Sequence, residues 1–367
     1  MIADPRTELL DVLAHYDLGQ LVDFQPDLRG TVNTSFVVDL VKEGVQRKYF
    51  LRRYKPEILE REILFEHSLI RHLTARGTCP AARVHPTRDG STYLRVSGAP
   101  SGAFYALFDY LPGEDRYTWV DPHCTPGELR AAGRLLAQFH NDASSLVPEG
   151  HREEPRTLEL LGRIDRLWSD SRAASKGTAF DAYLVRHSGL IHQEIAGTLS
   201  ALREPAAGGM PDAILHSDYH PGNLRFQGRA ISGLVDFDWA KRDWRAFDVA
   251  LALWYFCVSW RTRADGILRL AATREFLIAY QARLLEGAEI PPLHPAELHY
   301  LPHLLDAANI YVLYWTLRDY FGKPVDPAEY LGYLRHHVAF ARWFGRAGNR
   351  RRLEALLTSL PSAPGDG

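Results

Sequence analysis

The stretch ILHSDYHPGNLRFQGRAISGLVDFDW, Ile214 to Trp239, decides how the chain is read. Apolar Ile214 and Leu215 lead into a polar loop, and Leu224-Arg225-Phe226 reads as a short strand. Gln227-Gly228-Arg229 makes a turn, and Ile231 to Phe237 is expected to return as a second strand. His216, Asp218, Asn223 and Asp236 are thereby gathered at the ends of two paired strands. Asn223 and Asp236 follow Asp218 by five and eighteen residues.

Transfer of a phosphoryl group from ATP needs such a grouping, because the protein works by positioning reactants and neutralising phosphate charge. One carboxylate orients the incoming hydroxyl and takes its proton, a role that suits Asp218. Magnesium is a hard cation that prefers oxygen ligands, and the carboxylate of Asp236 with the amide oxygen of Asn223 suits it. His216 is grouped with Asp218 in the catalytic loop, where it is expected to buttress the loop. Taken singly, these residue types are ordinary in turns and caps. Their joint spacing is that of a kinase catalytic loop followed by a metal-binding aspartate.

HSDYHPGNLRF followed by GLVDFDW resembles the catalytic core of the aminoglycoside phosphotransferase family, which includes choline kinases, one type of homoserine kinase, methylthioribose kinase and several sugar kinases. The resemblance implies an α+β, bilobal, protein-kinase-like fold. A small β-rich N-lobe over residues 1–112 would carry the nucleotide loop, the Arg52 strand and the hinge. A mostly helical C-lobe over 113–367 would carry the catalytic loop and the acceptor site. It also implies that Asp218 is the base, that Asn223 and Asp236 are the magnesium ligands, and that ATP and Mg2+ are required.

Upstream, residues 7 to 17 pattern as an amphipathic helix. Leu28 to Val38 reads as strand–turn–strand, with Gly30 and the polar residues after it able to approach phosphates. One glycine is a weak signal, and an ordinary hairpin fits as well. By resemblance this is the nucleotide loop, with Asn33 at a position where the family often has asparagine. Lys48 to Arg53 alternates like a strand, followed by Tyr54-Lys55-Pro56. Arg52 falls where the family usually places the phosphate-pairing lysine, and Lys48 is a weaker candidate on the same face. Arginine keeps the charge but brings a forked donor set. A helix over 57–74 offers Glu66, and secondarily Glu62, as the acidic partner of Arg52.

Residues 81 to 96 and 103 to 110 read as strands. Ala106 to Glu114 (ALFDYLPGE) resembles the hinge between lobes, where Asp109 and Leu111 would offer main-chain groups to an adenine edge. Thr125-Pro126-Gly127-Glu128 is a capping box with proline at the first helical position, opening a helix that ends near His140. Further helices are expected at 157–168, 178–203, 266–286, 296–320 and 326–347. Asp248 is expected to start a buried helix and cap its free amides, and the resemblance adds that an acidic residue there braces the catalytic loop.

The 367 residues allow two lobes and a large core. With 46% hydrophobic and 24% charged residues and a net charge of −2, no basic excess points to nucleic acid. Cys79, Cys124 and Cys257 form no paired motif, which fits a reducing compartment. No apolar run is long enough to span a bilayer, and the first residues lack the apolar core of a signal peptide. A cytoplasmic enzyme with no membrane partner is therefore expected.

The expected partner is a small-molecule hydroxyl acceptor, sitting between the catalytic loop and the late helices. Candidates are Asp238, which serves either metal or substrate, and Trp239, Trp315, Arg318 and Asp319, with Asp306, Asn309, Tyr311 and Tyr314 nearby in sequence. At helical spacing, aromatic residues here also serve as packing. An amino alcohol, an amino acid such as homoserine, a sugar and an aminoglycoside all remain open as acceptors. The competing function is a nucleotide-binding regulator of the same fold with little or no catalysis, suggested by Arg52 and the single-glycine loop. Protein kinase activity is disfavoured, because no Ala-Pro-Glu-like segment follows Asp236.

Overall fold

The computed structural model describes residues 5–27, 32–96, 102–164, 166–168, 175–260 and 265–361. Six strands form an antiparallel sheet: β1 (Gln20–Asp27), β2 (Thr34–Lys42), β3 (Val45–Arg53), β4 (Val84–His85), β5 (Leu94–Val96) and β6 (Ala103–Asp109). Their order is β1-β2-β3-β6-β4, with β5 also paired to β6. Helix α1 (Pro5–Leu13) lays Leu9, Val12 and Leu13 on one face, against Val38, Leu40 and Leu51. Because side chains alternate along a strand, Arg52 points to the opposite face from Tyr49 and Leu51. There helix α2 (Glu60–Arg76) buries Ile63, Leu69 and Leu73 in a core shared with Ala106 and Phe108.

The remainder is largely helical: α3 (Pro126–Ala143), α4 (Thr157–Gly162), α5 (Ala179–Leu202), α6 (Arg245–Cys257), α7 (Leu270–Leu285), α8 (Pro295–Gly322), α9 (Pro327–Phe344) and α10 (Ala347–Thr358). The capping box expected at the start of α3 is formed, with Thr125 Oγ1 accepting from Glu128 N–H and Glu128 Oε2 accepting from Thr125 N–H at 2.8 Å. Helices α3 and α7 approach so closely at Gly133 that a Cβ there would lie 2.3 Å from the Phe276 carbonyl oxygen. Helix α6 is buried along its whole length, as its unbroken apolar sequence requires. The α+β class expected from sequence is what the chain adopts, and no helix among the described residues is long and apolar enough to cross a membrane.

Several expectations are corrected. The helix expected at 57–74 begins later, at Glu60, where the Leu59 N–H donates to Glu62 Oε2 at 3.2 Å. Residues 81–96 form two short strands, since Thr87 to Ser91 close a turn with Gly90 at φ +88. Helix α1 stops at Leu13 instead of reaching 17, and α10 was unforeseen. Strand β9 (Ala230–Leu234), paired with β8 (Leu224–Gln227), ends three residues early because Asp236 takes the left-handed conformation, φ +69. Strand β10 (Lys241–Trp244), paired with β7 (Asp212–Leu215), was not anticipated.

Candidate active site

The β7–β8 loop carries His216, Asp218, His220 and Asn223, and it is pinned from below. Asp248, 0% exposed, accepts the backbone N–H of His216 at 2.8 Å and of Ser217 at 2.9 Å, and meets His140 Nε2 at 3.0 Å. Its carboxylate therefore braces the loop and does not cap the amides of α6, which opens earlier, at Arg245. Ser217 sits at φ +62, a conformation that costs a non-glycine residue energy and persists only where the surroundings impose it. His216 is fully buried, and its Nε2 bonds the Val235 carbonyl at 3.1 Å. Burial holds its imidazole below the ordinary value, hence neutral. It ties the loop to the segment that precedes Asp236, a buttress with no exposed atom to exchange a proton.

Asp218 and Asn223 are in direct contact. Asn223 Nδ2 donates to the Asp218 carbonyl at 2.9 Å and to its Oδ2 at 3.1 Å, which commits the amide nitrogen and turns Oδ1 elsewhere. His220, unassigned from sequence although it lies inside the motif, has Nε2 at 3.5 Å from the same carboxylate. Burial raises the Asp218 pKa, but His220 and Asn223 outweigh it and hold the carboxyl below its usual range. The group is thus ionised at neutral pH.

Across the site, Arg52 is 8% exposed and forks between two carboxylates. Its Nη1 donates to Glu66 Oε1 at 2.9 Å and its Nη2 to Asp236 Oδ1 at 2.8 Å. Glu66 also accepts from the Tyr54 hydroxyl at 2.8 Å. The partner choice read from sequence is therefore the one formed, while Glu62 serves the start of α2 and meets Arg152 at 3.3 Å. Lys48 pairs instead with Asp39 at 3.2 Å. Burial and the neighbouring Asp238 push the Asp236 carboxyl up, against the pull of Arg52.

Asn33 spends its side chain on protein: Nδ2 donates to Asp238 Oδ2 at 2.9 Å, and Oδ1 accepts the Lys55 N–H at 3.0 Å. It ties the loop before β2 to the DFD segment. Gly30 lies outside the described residues. Asp109 uses its carboxylate on His85 Nε2 at 2.6 Å and Arg83 at 3.3 Å, and its N–H on the Arg83 carbonyl. Leu111 packs on Gly233 of β9, where a Cβ would lie 2.8 Å from its Cδ1.

Trp239 and Trp315 are brought together, ring centroids 4.9 Å apart, and Arg318 lies 3.9 Å over Trp315. Asp319 pairs with Arg318 at 2.8 Å and with Lys323 at 3.0 Å, so its charge is taken up locally. Asp306 pairs with Arg350, and fully buried Asn309 bonds Trp254 Nε1 and Glu194. Those two serve helix packing. Sequence reasoning missed two residues of the loop before α4: Arg152, whose guanidinium lies 4.9 Å from the Trp239 ring centroid, and Glu154, whose carboxyl feels Lys241, Arg152, Arg318 and Lys55. Nothing local in a loop sequence marks them.

Among the described residues no three His, Cys, Asp or Glu side chains converge as a closed metal cage. A magnesium site of two protein ligands still fits, because that ion keeps several waters and phosphate oxygens around it. Asp236 Oδ2 and Asn223 Oδ1 are hard oxygens of the right kind, in an acidic setting where Asp238, Asp218 and Glu66 all act on Asp236 and Arg52 offsets part of the charge.

Residues 23–287 match the model of the phosphotransferase enzyme family. Homoserine kinase from Parvibaculum lavamentivorans is 30% identical over 345 residues, 92% of this chain and 95% of that one. Among solved structures, the microcompartment-associated aminopropanol kinase superposes with a TM-score of 0.66 at 19% identity, covering 95% of this chain and 99% of that one. The amicoumacin kinase hAmiN, solved with AMP-PNP, Ca2+ and Ami, gives 0.64 at 15% identity over 98% and 96%. The fold is thus the protein-kinase-like one of these enzymes. With a family model spanning most of the chain, and a relative similar along nearly its full length, the chain belongs to the phosphotransferase enzyme family as a small-molecule kinase with a hydroxyl acceptor.

Proposed function

We propose that the protein transfers the γ-phosphate of ATP, with Mg2+, to the side-chain hydroxyl of homoserine or a close amino-acid analogue. The observation that carries this reading is the Asn223 amide, whose nitrogen is fixed on Asp218 and whose oxygen is left for a cation shared with Asp236. The similarity to homoserine kinases along nearly the whole chain supports the acceptor.

In this reading Asp218, kept ionised, accepts the proton of the acceptor hydroxyl as its oxygen bonds the γ-phosphorus. The bond from that phosphorus to the bridging oxygen breaks, and ADP leaves with the electron pair. Asp236 and Asn223 Oδ1 would hold magnesium, which when bound offsets the charge of the phosphates. Arg52, braced by Glu66, presents its guanidinium to the phosphates. The main chain of Asp109 and Leu111 borders the adenine, between a β-rich lobe ending near 112 and a helical lobe beyond it. A general base contributes about 10²–10⁴-fold to rate, and the loss expected on removing Asp218 is of that order or larger.

The test is ADP release from Mg-ATP across a panel of homoserine, choline, ethanolamine, N-acetylhexosamines, methylthioribose and aminoglycosides, with Asp218→Ala beside the wild type. Homoserine-dependent ADP that vanishes in the variant, while ATP binding persists, is the expected result. Full turnover in Asp218→Ala would remove Asp218 from the mechanism.

A further inference from the structure

The ring of Trp239, just beyond the DFD segment, gathers two cations. Lys55 Nζ lies 5.0 Å and Arg152 Cζ 4.9 Å from its centroid. Arg152 comes from the loop before α4 and its side chain is 5% exposed. One of its terminal nitrogens meets Glu62 at 3.3 Å, but its buried Nε has no hydrogen-bond partner. A buried donor left unpaired costs free energy unless something fills the position. Lys55 Nζ has no carboxylate within ion-pair distance among the described residues. Burial, and next the charge of Arg152, push its ammonium below the ordinary value. An aromatic face attracts each cation but accepts none of their classical hydrogen bonds, and the two cations repel each other. Glu62 on Arg152 and the charges of Glu154 and Asp238 offset part of this, but among the described residues no carboxylate bonds the Arg152 Nε or the Lys55 ammonium.

The pair stands next to the chemistry. Trp239 neighbours Trp315, which neighbours Tyr311 at 5.7 Å, and the Tyr311 hydroxyl, its pKa raised first by burial and then by the charge of Glu154, also feels Asp218 and Arg152. Asp238 Oδ1, one residue from Trp239, is a buried acceptor without a partner. An unpaired donor on Arg152 and an unpaired acceptor on the residue before Trp239 match a ligand carrying both an anionic and an ammonium group.

We propose that Arg152 and Lys55, converging on Trp239, form the subsite that binds the carboxylate of the acceptor and so selects carboxylate-bearing alcohols. This rests on the kinase reading given above. The same cations suit a phosphate oxygen of the nucleotide, since Lys55 is tied through its N–H to Asn33, and the test separates the two sources.

The pair of probes is L-homoserine and 3-aminopropan-1-ol, which differ only by the carboxylate. Wild type, Arg152→Gln, Arg152→Lys and Lys55→Met are compared by kcat and KM for each alcohol and KM for ATP. Wild type is expected to prefer homoserine by about 100-fold or more in kcat/KM, the scale of charge-assisted hydrogen bonds. Arg152→Gln and Lys55→Met should each raise KM for homoserine by about 10-fold or more, leaving KM for ATP and the constants for aminopropanol nearly unchanged, with partial recovery in Arg152→Lys. Equal losses on both alcohols would reduce the pair to a structural role and overturn the subsite. A rise confined to KM for ATP would assign the anion to the nucleotide and also overturn it. Homoserine turnover without discrimination would sink the subsite alone, whereas turnover of neither alcohol by the wild type would overturn the acceptor reading and the subsite with it.

Discussion

Arg52 Nη2 donates to Asp236 Oδ1 across 2.8 Å, joining the third strand of the sheet to the far wall of the site. The other arm of the same guanidinium holds Glu66 at 2.9 Å. Arg52 therefore uses its fork, which an ammonium lacks. Arg52→Lys is expected to leave one carboxylate unpaired at a cost of about 1.5–3 kcal/mol, lowering kcat/KM by roughly 10–100-fold in steady-state assays. A faster variant would mean that arginine is a handicap here and that the chain has drifted toward nucleotide binding without efficient catalysis.

Asp248 should be as sensitive although it touches no reactant. Its two oxygens receive the N–H groups of His216 and Ser217. In Asp248→Asn, one of those oxygens becomes an amide that donates toward another donor. We expect about 2 kcal/mol or more of destabilisation, a lower melting temperature and a reduced kcat with little change in KM. A variant with unaltered kcat would show that the loop holds its shape without this brace.

The β7–β8 loop was legible because its contacts are local: Asp218 and Asn223 lie close enough in sequence to bond one another, and Asp236 follows just after the strand that pairs back on it. The Arg52–Glu66 pair was legible because a strand and the helix after it carry complementary charges at buried positions. Strand β10 was not, since four residues with Lys241 and Asp243 among them show no apolar alternation and pair only because β7 lies alongside. Asp248 was read as a helix cap by local rules, while its partners lie some thirty residues away. Arg152 was invisible for a similar reason, its ring partner being brought to it only by the fold.

Gly133 tests the packing of α3 on α7. A methyl group would meet the Phe276 carbonyl oxygen at 2.3 Å, far inside contact, and neither backbone yields without the helices separating. Despite the helix propensity gained by alanine, Gly133→Ala is expected to destabilise by about 1–3 kcal/mol, the usual cost of overpacking. A urea midpoint equal to or above that of the wild type would show that the helices part freely.

Acid should weaken the fold through buried histidines. Burial holds His67 and His336 at about 3, below the ordinary value near 6.5. Below about pH 6.5 the unfolded chain takes up protons that the folded chain refuses, so stability falls as pH drops from there toward 3. The slope is at most about 1.4 kcal/mol per pH unit for each histidine. His336→Gln removes one such group, and its urea midpoint should change less between pH 7.5 and 5 than that of the wild type. An identical slope in the variant would exclude His336 as a source.

Asn223 has two tasks in the proposed mechanism, and one substitution separates them. Asn223→Asp keeps an oxygen ligand but replaces the amide that donates to Asp218 with a second carboxylate, since only the amide nitrogen bonds Asp218. Two adjacent carboxylates repel, and one of them is driven to hold a proton. The variant should bind Mg2+ at least as well as wild type in the presence of ATP, while kcat falls and its acid limb moves to higher pH, because Asp218 loses one of the hydrogen bonds that lower its pKa and gains a carboxylate neighbour that raises it. Asn223→Ala loses both tasks, so its requirement for Mg2+ should rise as kcat falls. If the two variants shared one Mg2+ dependence, the Asn223 oxygen would not be a ligand, and its whole contribution would be the bond to Asp218.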